Sequence, residues 1–290
     1  MFTKRSKALL AALSAAILSL TILAANPVAS VAAATWAPAA TADLHPGVQT
    51  YTSGGQCTAN FVFTDDAGNV YLGQAAHCSG TGAATDTNGC DAGTLPLGTA
   101  VTFNEGGSLI SAGTIVGRGT IAYSSWNTMQ ARGETDANTC AYNDLALVKV
   151  AVADVAKVNP TVPYWGGPVG INTTGTVAGD KVYSYGNSSL RGGITELSPK
   201  TGVSLGQDAA DGGWTHPLYT ASPGVPGDSG SAFLDAQGNA VGTLSTLGLA
   251  PLPASNNIGD LAHELAYAQA FSGIAGLRLV PGTEPFDPSL

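Results

Sequence analysis

The sequence predicts an all-β protein built in two halves. Glycine accounts for 38 of the 290 residues and proline for 16, a content too high for a helical bundle or a coiled coil. Short runs of strand-forming residues recur along the chain, separated by Gly, Asn and Asp. Only 11% of the residues are charged and 44% are hydrophobic, which excludes a disordered chain. The length suits one large β domain or two smaller ones.

The N-terminal segment, residues 1–34, is predicted to be a cleaved secretory signal peptide. Three basic residues precede the apolar run 8–25, and Ala32-Ala33-Ala34 supplies an A-x-A cleavage pattern. An uncleaved membrane anchor is the alternative, because the apolar run could nearly span a bilayer. The small residues that follow the run favour cleavage. No later segment is long and apolar enough to cross a membrane. We therefore expect a secreted, extracellular protein that does not contact the membrane after cleavage.

The charge balance is acidic. Eleven Lys and Arg residues stand against 20 Asp and Glu residues, a net charge of −9. The predicted signal peptide contains three of the basic residues, so its removal leaves a net charge of −12. Because binding to nucleic acid depends on Lys and Arg contacts to phosphates, this balance excludes nucleic acid as a partner.

The first half is predicted to span residues 35–157. Runs of strand-forming residues bounded by turn residues predict five strands there: 60–64, 70–72, 100–103, 114–123 and 145–150. The first two of these flank an Asp- and Gly-containing turn and are expected to form a hairpin. The segment Phe63–Val70 resembles Phe233–Ala240 in the second half, since both read strand, Asp…Gly-Asn turn, strand.

A proline-rich segment separates the halves. Three prolines between residues 158 and 168 exclude a helix and a central strand, so residues 158–172 are predicted to be a linker. The second half, residues 173–290, has four further strand candidates: 176–185, 193–197, 231–234 and 240–245. Only residues 258–271 show helical spacing of their apolar residues, which predicts a C-terminal helix.

Four cysteines, in an exported chain, are expected to form two disulfides. Cys57, Cys78, Cys90 and Cys140 allow three pairings, of which Cys57–Cys78 with Cys90–Cys140 joins the nearest neighbours. A zinc site is the competing use of four cysteines. None of them belongs to a C-x-x-C pair, and this disfavours zinc.

Three polar residues occur in settings that permit chemistry. His77 follows a strand and precedes Cys78, Asp144 comes directly before an apolar strand, and Ser229 lies between glycines in Gly-Asp-Ser-Gly-Ser. Each alone has an ordinary structural explanation as a packing or turn residue. A serine hydroxyl, however, needs a nearby base to become a nucleophile, and the pKa of histidine suits that role near neutral pH. Together the three are far more specific than any one of them.

With these segments the chain resembles the trypsin-like (chymotrypsin-fold) secreted serine proteases of the bacterial type. Ala-His-Cys, Asp-Leu-Ala-Leu and Gly-Asp-Ser-Gly-Ser correspond to the three signatures of that family, in the family's order, and the resemblance covers residues 47–275. It implies two six-stranded antiparallel β-barrels with the active site between them. His77 and Asp144 would come from the first barrel and Ser229 from the second. The resemblance also supports the Cys57–Cys78 disulfide.

The resemblance implies a serine endopeptidase that hydrolyses peptide bonds through an acyl-enzyme. His77, Asp144 and Ser229 would form the catalytic triad, and the backbone N–H groups of Gly227 and Ser229 the oxyanion hole. No cofactor or metal is expected, the partners would be protein or peptide substrates, and the chain is expected to be a monomer. Asp228, the acid before the nucleophile, needs a positive partner, for which Lys181 and Arg191 are the candidates.

The family's positions also imply the substrate-binding residues. The floor of the specificity pocket falls on Pro223, next to Ser222, and the absence of an acid there disfavours Lys or Arg at P1. Ser245, Thr246 and Leu247 match the strand that pairs with an extended substrate, and Leu247 occupies a wall position that glycine often holds. We therefore expect an apolar or small P1 residue.

Other functions compete with this one. A protease-fold protein that binds without cutting is the first alternative, although a binder has no need to retain all three triad residues. A secreted esterase is the second, because Ser204 lies in a G-x-S-x-G segment. That motif requires a helix after the serine, and glycines interrupt the chain within seven residues. A wall-binding β module would explain the composition and export but not the three signatures.

Overall fold

The computed structural model describes residues 35–83, 85–207, 209–248 and 254–289, so the predicted signal peptide lies outside the described residues. The strands are β1 (Gln49–Thr52), β2 (Gly55–Thr58), β3 (Val62–Thr64), β4 (Val70–Ala75), β5 (Ala100–Glu105), β6 (Thr114–Ser124), β7 (Leu145–Val150), β8 (Gly170–Ile171), β9 (Lys181–Tyr185), β10 (Pro199–Ser204), β11 (Thr215–Thr220), β12 (Ala232–Asp235), β13 (Asn239–Gly248), β14 (Ser255–Asp260) and β15 (Arg278–Leu279). The helices are α1 (Ser125–Arg132), α2 (Ala137–Tyr142) and α3 (Leu261–Phe271).

The first half of the chain forms a sheet in the order β3-β4-β7-β6-β5-β1-β2, with every pair antiparallel. Only residues 59–61 separate β2 from β3, so these two strands count as one bent strand that joins the ends of the sheet. Counted in this way, the sheet is a six-stranded barrel. The C-terminal strand β15 pairs with β3 and therefore adds to this sheet rather than to the second.

The second half forms a closed six-stranded antiparallel barrel in the order β12-β9-β10-β11-β14-β13, which the pairing of β12 with β13 closes. The short strand β8 pairs in parallel with β13 at its start. The predicted fold class is thus confirmed: the protein is mostly β, with two barrels and a C-terminal helix.

Three clusters of buried apolar side chains hold the barrels together. One fills the first barrel around Phe103 and Val148, and another fills the second around Phe233 and Ile258. The largest contains residues of both barrels, and the apolar face of α3 packs into it. Burial of large apolar side chains is worth about 1.5–3 kcal/mol each, so this shared cluster fixes the position of α3 against both barrels.

The two similar segments seen in the sequence fold into the same turn. In the first half the side chain of Asp65 accepts a hydrogen bond from the backbone N–H of Asn69 at 2.8 Å. In the second half Asp235 accepts one from the backbone N–H of Asn239, also at 2.8 Å. The carboxylate replaces a backbone acceptor in each tight turn, which explains the shared Asp…Gly-Asn pattern.

Several element predictions were wrong in detail. Residues 193–197 form no strand; Thr195–Leu197 is a short 3₁₀ helix on the surface. The predicted helix begins at Leu261 rather than Ile258, because residues 255–260 belong to β14. Barrel closure overrides helical spacing there, since β14 pairs with strands on both sides.

Other elements were not predicted. They are the strands β1, β2, β8, β10, β11, β14 and β15 and the helices α1 and α2. The two helices are short and mostly polar, so their apolar spacing gives little signal. Asp136 is the N-cap of α2: its side chain accepts a hydrogen bond from the backbone N–H of Thr139 at 2.8 Å and so fixes where the helix begins.

Candidate active site

A cleft of about 890 Å³ is lined by several of the residues singled out in the sequence. It is lined by His77 from the first barrel and by Ser229, with residues 224–227 and 244–247, from the second. His77 lies in the 3₁₀ helix Ala76–Ser79 that follows β4, and Asp144 directly precedes β7, the neighbour of β4. The pairing of these two strands brings the histidine and the acid together.

Asp144 holds His77 by two hydrogen bonds. Nδ1 of His77 lies 2.6 Å from Oδ2 of Asp144, and the backbone N–H of His77 donates to Oδ1 at 2.8 Å. Burial lowers the pKa of His77, but the charge of Asp144 and the hydrogen bond to it outweigh burial, and the pKa lies above its ordinary value of 6.5. The pair thus fixes the tautomer that leaves Nε2 free to accept a proton.

The Asp144 carboxylate is itself held from the second barrel. The side chain of Asp144 is 7% exposed, and the hydroxyl of Ser245 on β13 donates to its Oδ2 at 2.7 Å. Behind it, the backbone N–H of Asp144 donates to Oε1 of the buried Glu264 on α3 at 3.1 Å. The sequence pattern gave no signal for Glu264, because an acid within an apolar helical stretch does not reveal its partner.

Ser229 lies in a loop that packs against the first barrel. The backbone N–H of Thr58 on β2 donates to the carbonyl of Ser229 at 2.9 Å. A Cβ atom at Gly230, where φ is +87°, would lie 2.6 Å from the carbonyl of Thr58 and 2.8 Å from the backbone nitrogen of Ala75. Only glycine fits at this approach, which places Ser229 against the end of β4, next to His77.

The loop before Ser229 leaves two backbone donors available. Gly227 has a φ of +95°, and its carbonyl accepts hydrogen bonds from Thr58 Oγ1 at 2.8 Å and Gln56 Nε2 at 3.0 Å. Within the described ranges, neither the N–H of Gly227 nor that of Ser229 donates to a protein acceptor. Two backbone N–H groups free of internal partners and close to a serine are what an oxyanion hole requires.

Asp228 is fully buried and is bound by two cations. Arg191 Nη2 lies 2.6 Å from its Oδ2, and Lys200 Nζ lies 3.1 Å from the same atom. The expected partner Arg191 is therefore in place, whereas Lys181 is exposed at the start of β9. Lys200 was not predicted as a partner of Asp228. Its pKa lies below the ordinary value of 10.5 because burial lowers it by more than the charge of Asp228 raises it. The two ion pairs satisfy a charge that would otherwise be very costly to bury.

The predicted substrate-binding residues divide into two sets. Ser245, Thr246 and Leu247 line the cleft, whereas Ser222 and Pro223 do not. Arg191 instead binds the hydroxyl of Ser222 at 3.3 Å and the carbonyl of Pro223 at 3.0 Å, which places both behind the wall of the cleft.

The wall of the cleft includes another residue, which the sequence did not predict. Asn256 on β14 accepts a hydrogen bond from the N–H of Gly224 at 2.7 Å and donates to its carbonyl at 3.2 Å and to that of Thr246 at 3.4 Å. It therefore connects residue 224 with β13 across the inner end of the cleft. Nothing in the sequence marks Asn256, because its role depends on the pairing of β13 with β14.

Both disulfides are formed as the nearest-neighbour pairing predicted, Cys57 with Cys78 and Cys90 with Cys140. The first joins β2 to the residue next to His77. The second joins α2 to the loop that contains Cys90. Cys57 and Cys78 also lie close to His77, in a group with the composition of a metal site, but as half-cystines they offer no thiolate ligand.

The alternative nucleophile is not accessible. Ser204 is 1% exposed at the end of β10, and its hydroxyl lies 2.7 Å from Thr176 Oγ1, which in turn lies 3.0 Å from Nδ1 of the buried His216. No helix follows Ser204 directly. This serine belongs to the polar interior of the second barrel, so the esterase geometry is not formed.

Comparison with solved structures agrees with this architecture. Protease A of Thermobifida fusca is 16% identical, with a TM-score of 0.50 over 82% of this chain and 99% of that one. The fold is that of the chymotrypsin-like serine proteases. A Nocardiopsis protease, 17% identical, aligns over 81% of this chain and 98% of that one with a TM-score of 0.43. No family model matches the sequence. No curated protein matches it either.

The resemblance seen in the sequence is thus confirmed at the level of the fold. The chymotrypsin fold accounts for the placement of the cleft, because its two barrels meet where Ser245 on β13 contacts Asp144, directly before β7. In the described part of the chain, no helix is long and apolar enough to cross a membrane.

Proposed function

We propose that the protein is a secreted serine endopeptidase. The observation that carries the proposal is the arrangement in one cleft of the His77–Asp144 pair, Ser229 and the unpartnered N–H groups of Gly227 and Ser229. An inactive binding protein would not need a hydrogen-bonded base, a fixed acid and two free donors around one serine. The two disulfides support an extracellular location, and the predicted signal peptide supplies the route.

The chemistry follows from these groups. Ser229 Oγ attacks the carbonyl carbon of the scissile peptide while Nε2 of His77 takes its proton, and Asp144 stabilises the resulting imidazolium. The negative oxygen of the tetrahedral intermediate accepts hydrogen bonds from Gly227 and Ser229. His77 then protonates the leaving amine as the C–N bond breaks, which leaves an acyl-enzyme. A water molecule, deprotonated by His77, attacks the ester carbonyl carbon, and His77 returns the proton to Ser229 Oγ as the C–O bond breaks and the acid product leaves.

We also propose a preference for small, apolar P1 residues. Leu247 lines the cleft at the position expected to narrow the pocket, and Asn256 and Leu244 fill the inner end. A Cβ atom at Gly224 would lie 2.6 Å from Leu244 Cδ2 and 3.0 Å from Asn256 Nδ2, so little room remains beyond that wall. No carboxylate side chain is among the residues that line this end, which disfavours Lys and Arg at P1.

Fluorophosphonate labelling of the purified mature protein, followed by peptide mapping, tests the proposed reaction. The label is expected on Ser229 and is expected to disappear in Ser229→Ala and His77→Ala, while the matched control Ser204→Ala stays fully labelled. A label on Ser204 would support the esterase instead. No label on folded protein would contradict the proposal and favour a protein that binds peptides without cutting them.

A further inference from the structure

A second carboxyl group lies directly behind the acid of the proposed triad. Glu264 on α3 is 0% exposed. Its Oε1 accepts the backbone N–H of Asp144 at 3.1 Å, and its Oε2 accepts the hydroxyl of Thr243 on β13 at 3.2 Å. A Cβ atom at Gly259 would lie 2.3 Å from Oε1, so glycine at that position makes room for the carboxyl group.

These contacts connect Glu264 to the backbone of Asp144 and to β13, one of the elements that orient Asp144. The carboxylate of Asp144 binds His77 and Ser245, its carbonyl accepts the N–H of Ala76 at 2.8 Å, and its N–H binds Glu264. Thr243 lies two residues before Ser245 on β13, and the pairing register of β13 shifts at Ser245, between Leu244 and Thr246. Glu264 therefore holds, at one point, both the backbone of the triad acid and the strand that supplies the hydroxyl donor to it.

The groups facing Glu264 favour its neutral form. Asp144 before β7 and Asp260 at the end of β14 are acidic, Tyr123 on β6 contributes a buried hydroxyl, and Thr243 is the polar residue on β13. No cation pairs with Glu264 among the described residues. Burial and the charge of Asp144 raise the pKa of Glu264 well above its ordinary value of 4.5. The hydrogen bonds from Asp144 and Thr243 oppose this shift but do not cancel it.

We propose that Glu264 is a positioning residue that acts as a neutral carboxylic acid, holding Asp144 and β13 so that the Asp144 carboxylate meets both His77 and Ser245. A neutral acid accepts the N–H of Asp144 through its carbonyl oxygen without adding a second negative charge behind the triad. The role of Glu264 in turnover rests on the proposed function. Its protonation and its hold on Asp144 are properties of the folded protein and can be measured without turnover.

Two substitutions test whether Glu264 acts as a neutral hydrogen-bond acceptor for Asp144. Glu264→Gln keeps the shape and the acceptor for Asp144, so it is expected to keep kcat within about threefold of wild type and the acid limb of the pH profile in place. Glu264→Leu keeps the volume but removes the acceptor. Loss of Asp144 alignment is expected to lower kcat by about 10²-fold, with KM little changed because the cleft lining stays intact. Glu284→Gln, at an exposed acid outside the cleft, is the matched control for loss of one carboxyl group.

Stability against pH gives a second measurement that needs no activity. Below pH 4.5 Glu264 is protonated in both the folded and the unfolded chain. Above pH 4.5 the unfolded chain loses this proton while the folded chain keeps it, so wild type loses stability relative to Glu264→Gln as pH rises. The ratio of their unfolding constants is expected to change by up to about tenfold per pH unit until the folded-state pKa is reached. The same comparison for Glu284→Gln is the control for the loss of an exposed carboxyl group.

The outcomes are distinct. If wild type does not turn over, the proposed function fails, while the stability comparison and the NMR signal of the His77 Nδ1 proton still test Glu264. That signal is expected in wild type and Glu264→Gln and is expected to be lost or shifted in Glu264→Leu. The inference is overturned if Glu264→Gln is as impaired as Glu264→Leu, if Glu264→Leu is fully active, or if the stability difference is independent of pH.

Discussion

The hydroxyl of Ser245, on β13 of the second barrel, donates a hydrogen bond at 2.7 Å to Oδ2 of Asp144, directly before β7 of the first barrel. The same carboxylate oxygen binds Nδ1 of His77 at 2.6 Å. The acid of the proposed triad is therefore oriented by both barrels at once. Correct packing of the two halves is a condition for a working cleft, and the large apolar cluster shared by the barrels supplies it.

Ser245→Ala removes this contact and is expected to lower kcat. Hydrogen bonds to charged groups contribute about 1.5–3 kcal/mol. We therefore expect kcat to fall about tenfold or more and the free energy of unfolding to fall by about 1.5–3 kcal/mol. Steady-state kinetics and urea titration measure the two effects. Ser245→Thr, which keeps the hydroxyl, should recover most of both. Wild-type kinetics in Ser245→Ala would show that the first barrel alone orients Asp144.

Activity is expected to rise with pH through the pKa of His77. The imidazole must be neutral to take the proton of Ser229, and the charge of Asp144 outweighs burial to hold the His77 pKa above 6.5. The acid limb of kcat/KM should therefore have its midpoint above pH 6.5. Asp144→Asn removes the charge, so the midpoint should move downward and kcat should fall by about 10⁴-fold. A limb that does not move in Asp144→Asn would assign it to another group.

Asp228 is expected to depend on both of its cations. Leaving a buried charge without a partner costs about 3–5 kcal/mol, so the double variant Arg191→Met/Lys200→Met should lose about that much unfolding free energy, and each single variant less. Adding Asp228→Asn to the double variant removes the unpaired charge and should recover much of the loss. Denaturant unfolding measures all four proteins, with Lys181→Met at an exposed position as the control. Equal stability of the double variant and Lys181→Met would contradict this account.

The sequence singles out the parts of the candidate site that lie in short local patterns. Short sequence segments contain His77, Asp144, Ser229 and Gly227, and the residues next to them in the chain are enough to mark them. The cysteine pairing follows from closeness in sequence. Arg191 was one of two candidates for Asp228 because only the type of partner, a cation, follows from its burial.

What the sequence did not predict depends on pairing between distant strands. Lys200, Asn256 and Glu264 reach their partners only through β10, β14 and α3. Closure of the second barrel places the two strands, and the apolar cluster shared by the barrels places α3. Ser222 and Pro223 were expected on the floor of the pocket, but Arg191 holds them behind the wall. Contacts of this kind leave no spacing signal in the chain, so β10, β11 and β14 were missed together with the residues on them.

Substrate preference provides the last prediction. In a series of peptides that differ only at P1, Ala should be cleaved with a higher kcat/KM than Leu or Phe, and Lys should be cleaved most slowly. Leu247→Gly removes the side chain expected to narrow the pocket and should raise kcat/KM for Phe relative to Ala by at least about tenfold, since one methylene in an apolar pocket is worth roughly 10–200-fold. Leu109→Gly, an exposed leucine outside the cleft, is the matched control and should leave the ratio unchanged. Faster cleavage after Lys than after Ala would overturn the proposed preference. An unchanged Phe-to-Ala ratio in Leu247→Gly would show that Asn256 and Leu244, at the inner end of the cleft, limit the size of the P1 residue rather than Leu247.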